Sequence, residues 1–95
     1  SANQHLTQLL ISMKQKSPSA LSLSEVSEQF LSVLSSSLRQ SDVVTQNSKN
    51  QALAILNETN RKNCETVINR VLKNWEKAGV DAGYEITYEL DTIKS

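Results

Sequence analysis

The sequence predicts an α+β domain of ferredoxin-like β-α-β-β-α-β order, with a four-stranded antiparallel sheet and two helices on one face. Three observations carry that expectation. Val26, Phe30, Val33, Leu34 and Leu38 recur at helical spacing behind a capping signal, and so do Cys64, Val67, Ile68, Val71, Leu72 and Trp75. Between them lie two short strand-like runs joined by a polar turn. Tyr84, Ile86, Tyr88 and Leu90 then alternate with Glu85, Thr87, Glu89 and Asp91, the pattern of a strand with one covered and one wet face.

The first strand is expected over Leu6 to Lys14, where Leu9, Ile11 and Met13 alternate with Leu10, Ser12 and Lys14. Leu6, Leu9, Leu10 and Met13 would also suit a helix face, so periodicity leaves both forms open there. Lys16-Ser17-Pro18-Ser19 breaks the element, since proline lacks a donor and pushes its neighbour to extended geometry. Ser22 and Glu25 have the spacing of a capping box, and the first helix is expected from Ser24 to Arg39.

Asp42 to Gln46 reads as the second strand, Asn47 to Asn50 as a turn and Gln51 to Asn57 as the third strand. Asn47 and Asn50 tolerate positive φ, which suits a tight connection without glycine. Thr59 or Asn60 can cap the second helix, and Gly79 can stop it. Asp81-Ala82-Gly83 reads as a turn into the last strand, Tyr84 to Asp91.

Composition removes several function classes. The 95 residues suit one small domain, taken as residues 3–95 with Ser1 and Ala2 set aside. Ten basic and ten acidic side chains cancel, and the four aromatic residues are not interleaved with Arg or Lys, so no nucleic-acid partner is expected. No apolar run reaches membrane-spanning length, so no membrane insertion is expected. The lone Cys64 cannot form an internal disulfide, and a reducing cytoplasm is the expected location. The fourteen serines lie between periodic apolar residues and need not mean disorder.

Single chemical groups are read most simply as structural. Cys64 packs as a small hydrophobe, Trp75 as core, and Glu85, Glu89 and Asp91 as a solvated sheet face. His5 and Cys64 alone assemble neither a metal site nor a triad, and no cofactor is implied.

One stretch is more specific. Ser24-Glu25-Val26, Phe30, Leu34, Leu38-Arg39 and Asp42-Val43-Val44, with Asn60 to Arg70 beyond the hairpin, resemble the elements flanking the signature hairpin of bacterial GGDEF (diguanylate cyclase) domains. The resemblance covers Leu9 to Leu90. Where that family writes Gly-Gly-Asp/Glu-Glu-Phe, this chain has Ser48-Lys49-Asn50-Gln51-Ala52. The glycines that close the backbone around phosphates, and the carboxylate that helps hold magnesium, are replaced.

The family's first strand carries Asp-x-Asp-x-Phe-Lys, and here the corresponding residues are Ser12-Met13-Lys14. The segment that recognises guanine in the family is shortened as well. The resemblance thus implies a catalytically degenerate domain, not an enzyme, acting in bacterial signalling through a protein partner or a second copy.

It also implies a ligand. Many members bind cyclic di-GMP at an inhibitory Arg-x-x-Asp site whose aspartate lies six residues before the first signature glycine. Arg39-Gln40-Ser41-Asp42 has that form and that distance from Ser48, and a gapless count places the site's second arginine at Arg70. Arg offers a planar donor fork to guanine or phosphate, and Asp accepts from guanine N–H groups. The structural alternative is that Arg39 complements a helix terminus and Asp42 closes a turn. Other classes remain open: an unrelated ferredoxin-like binding module using its exposed sheet face, or a diverged cyclase that uses GTP differently.

Overall fold

The computed structural model describes residues 5–80 and 83–94. The elements run β1 (Leu6–Gln15), α1 (Leu23–Ser37), β2 (Val43–Ser48), β3 (Gln51–Asn57), α2 (Arg61–Ala78) and β4 (Tyr84–Lys94). They form one antiparallel sheet in the order β2-β3-β1-β4, which is the ferredoxin-like arrangement the sequence predicts.

Alternation decides the form of β1. Thr7, Leu9, Ile11 and Met13 are buried, and Leu10 and Ser12 turn to the other face, so the apolar run is a strand. Ala52, Ala54 and Leu56 of β3 share the buried face, which Val26, Phe30 and Leu34 of α1 and Cys64, Ile68, Val71 and Trp75 of α2 cover to make the core. Phe30 and Trp75 meet edge to face, with ring centroids 5.2 Å apart and planes at 72°.

Both helix starts follow the sequence. Ser22 caps α1 and Glu25 completes the box, while the Asn60 side chain accepts the Asn63 N–H to cap α2. Gly79, at φ 68°, ends α2 in the left-handed conformation.

Several boundaries differ. α1 ends at Ser37 rather than Arg39, because Leu38 is already extended and the Ser36 and Ser37 hydroxyls fold back onto the Val33 carbonyl. β2 begins at Val43 and runs on to Ser48, leaving Lys49-Asn50 as the whole connection. Asn47 is the extra residue of a bulge, and neither Asn47 nor Asn50 has positive φ; the one described non-glycine residue that does is Glu58, at 51°. β4 continues three residues past Asp91. The expected turn residues Asp81 and Ala82 lie outside the described residues.

Candidate functional site

Arg39 and Asp42 meet in the connection from α1 to β2. The Arg39 backbone N–H donates to Asp42 Oδ2 at 3.0 Å, its Nη2 lies 3.3 Å from Oδ1, and the Asp42 N–H returns to the Arg39 carbonyl at 3.0 Å. The carboxylate also accepts the Asn57 N–H from the end of β3, at 3.0 Å. Arg39 Nη2 reaches the Asn57 carbonyl and Thr59 Oγ1. The four residues make a clasp that joins the α1–β2 corner to the β3–α2 corner.

The two charged side chains of the clasp differ in access. That of Asp42 is only 3% exposed, with its oxygens directed to donors of the protein, whereas that of Arg39 is 55% exposed. Nη1 of Arg39 makes no hydrogen bond among the described residues, so one edge of the fork faces outward.

Arg70 approaches the same corner from α2. Its Nη2 donates to the Ser37 carbonyl at 2.9 Å, and one turn later Asn74 Nδ2 donates to Ser37 Oγ, also at 2.9 Å. Arg70 thereby satisfies a carbonyl that the end of α1 leaves open. The structure therefore brings all three sequence-predicted residues to the C-terminal end of α1, with Arg39 and Arg70 exposed and Asp42 enclosed. Asn57, Thr59, Ser37 and Asn74 complete the arrangement. No motif marks them, because each meets the corner from another element.

Cys64 is fully buried on α2, and burial first, then Glu65, pushes its thiol up to about 11. It is a core residue with little thiolate near neutral pH.

The hairpin tip sits against β1 and α1. Ser27 Oγ donates to the Lys49 carbonyl at 2.7 Å, the Met13 N–H donates to the Asn50 carbonyl at 2.8 Å, and Asn50 Nδ2 donates to the Met13 carbonyl at 3.3 Å. Gln51 Nε2 donates to Ser12 Oγ at 3.1 Å. Hydrogen bonds of Ser27, Met13, Asn50 and Gln51 thus hold the hairpin tip to α1 and β1. Among the described residues no three of His, Cys, Asp and Glu gather in a way that could hold a metal ion. No described helix is long and apolar enough to cross a membrane.

No protein-family model matches the sequence, and no curated protein matches it. Solved structures do. The chain is similar to a diguanylate cyclase (DGC) protein from Thermotoga maritima, with a TM-score of 0.70 and 16% identity over 96% of this chain and 66% of that one. It is similar also to PelD 156–455 from Pseudomonas aeruginosa PA14 in the apo form, with a TM-score of 0.53 and 15% identity over 90% of this chain and 32% of that one. The chain spans less than two thirds of the length of either. The fold is GGDEF-like.

Proposed function

We propose that this chain is a non-catalytic regulatory module of bacterial signalling, which acts through protein contacts and binds cyclic di-GMP at the corner formed by Arg39, Asp42 and Arg70. The observation that carries the reading is the clasp. A carboxylate 3% exposed accepts from the backbone N–H, Nε and Nη2 of Arg39 while the outer edge of the guanidinium stays open, on the same corner as Arg70.

Two outward arginines match the chemistry of a guanine dinucleotide. Their N–H forks can donate to guanine O6 and N7 or to phosphate oxygens. Asp42, with its lone pairs directed to Arg39 and Asn57, acts here as the group that orients Arg39. The GGDEF-like fold supports the ligand class, and Ser48, Lys49, Asn50 and Gln51 at the hairpin tip support the non-catalytic half of the reading.

Calorimetry with cyclic di-GMP tests it. Binding heat should appear at tens of micromolar protein, and Arg70→Ala should weaken binding about tenfold or more, the scale of one charge-assisted contact. Absence of heat, or affinity unchanged in both Arg39→Ala and Arg70→Ala, overturns the ligand. Incubation with magnesium and GTP should yield no cyclic or linear dinucleotide; product formation overturns the non-catalytic role.

A further inference from the structure

β4 is an outer strand, paired with β1 on one side and with no described strand on the other. The Lys16 N–H donates to the Gly83 carbonyl at 2.7 Å, continuing the register in which Gln15 faces Tyr84. Antiparallel residues turn their backbone groups alternately toward and away from the partner strand. Glu85, Thr87 and Glu89 therefore face β1, while Ile86, Tyr88 and Leu90 present N–H and C=O outward.

The Leu90 carbonyl is covered, since Arg61 Nη1 donates to it at 3.1 Å. Among the described residues, no side chain or loop bonds to the backbone of Ile86 or Tyr88 in the same way. A short window of strand edge is thus left open in the middle of β4.

The two faces of that edge differ in chemistry. On the helix side, Tyr88 is 40% exposed, and a groove of about 270 Å³ runs between α2 and β4, lined by Leu72, Trp75, Glu76, Tyr84 and Ile86. On the open side Glu85, Glu89 and Asp91 form an acidic row. Glu85 is 3.8 Å from Lys16, but Glu89 and Asp91 have no cationic partner among the described residues.

We propose that the outer edge of β4 is a docking site for an extended segment of a partner protein in which Lys or Arg alternates with apolar residues. The segment adds a fifth strand through the outward groups of Ile86 and Tyr88. Its apolar side chains lie on the helix side and enter the groove beside Trp75, while its cations stand opposite Glu89 and Asp91, where cross-strand charge pairs are favourable.

Charge decides against other occupants. A second copy pairing β4 with β4 would set acidic residues against acidic residues, and a nucleic-acid phosphate would meet the same row. The opposite edge, β2, carries no charged residue and so has nothing with which to select a basic strand.

The test uses an end-blocked heptapeptide alternating lysine and valine, added to the isotope-labelled 95-residue chain, with a control peptide carrying glutamate for lysine. The lysine peptide should slow amide exchange at Ile86 and Tyr88 about tenfold, while the glutamate peptide leaves it unchanged. A Glu89→Lys, Asp91→Lys variant, altered only at exposed positions, should exchange this preference for the glutamate peptide. Equal response to both peptides, protection at Val43 to Gln46 instead, or no response at millimolar peptide overturns the proposal. Slowed exchange at Ile86 and Tyr88 that rises with protein concentration in the absence of peptide overturns it in favour of a second copy.

Discussion

Asp42 Oδ1 accepts the backbone N–H of Asn57 at 3.0 Å, across fifteen residues of sequence and from the neighbouring corner of the fold. The same carboxylate accepts from the Arg39 N–H three residues behind it. One enclosed side chain therefore ends the α1 corner and anchors the end of β3. A residue so placed fixes the position of Arg39 at this corner.

Asp42→Ala removes the acceptor and leaves the Asn57 N–H without its partner in a partly buried site. Such orphaned groups cost about 1–3 kcal/mol. The denaturant midpoint should fall accordingly, and amide exchange should rise first at Asn57. Asp42→Asn, which retains an acceptor oxygen, should lose less.

Cys64 gives a pH dependence with a definite sign. Burial raises the thiol from its ordinary 9.0 to about 11 in the folded chain, so the folded state holds this proton more tightly than the unfolded one. Its contribution to stability is complete below pH 9 and is lost as pH rises toward 11. Denaturation curves across that interval should show a decline that Cys64→Ala, though less stable throughout, shows less steeply. At pH 8 a thiol reagent should label the native chain far more slowly than the chain in denaturant.

The sequence makes legible what depends on periodicity and local caps. Element order, the Ser22–Glu25 box, the Gly79 stop and the buried faces of β1 and α2 follow from residues near one another in the chain. The end of α1 was less accessible, because Leu38 continues the apolar stripe while the serine hydroxyls before it compete for the Val33 carbonyl. The short Lys49-Asn50 connection depends on a bulge at Asn47, which no residue type announces. For the candidate site, the family resemblance implies Arg39, Asp42 and Arg70, at positions counted outward from the hairpin. That Asp42 faces protein donors, and that Ser37 receives both Arg70 and Asn74, depends on contacts between distant elements.

The two described glycines should respond differently to substitution. Gly79 and Gly83 both have positive φ, at 68° and 78°, but a Cβ on Gly79 meets nothing within 4 Å. Gly79→Ala should cost about 1 kcal/mol, the strain of a left-handed alanine. A Cβ on Gly83 would collide with the Ser17 hydroxyl and stand 3.1 Å from the Ser17 carbonyl, so Gly83→Ala adds a clash to the same strain. Thermal unfolding should rank Gly83→Ala clearly below Gly79→Ala, and Ser17→Ala should recover part of the difference by removing the hydroxyl.

Ser27 offers a test of whether the hairpin tip is held from α1. It is 3% exposed, and its hydroxyl donates to the Lys49 carbonyl at 2.7 Å and lies 3.8 Å from Met13 Sδ. Ser27→Ala keeps the volume nearly unchanged and removes the donor, at a cost of about 1 kcal/mol. Because Met13 and Asn50 still bond through their backbones, β1 should continue to hold the inner side of the tip. The loss should therefore be local: faster amide exchange from Ser48 to Asn50, with the Arg39–Asp42 corner unchanged. An equal acceleration at Asn57 would show that the tip and the corner open as one unit.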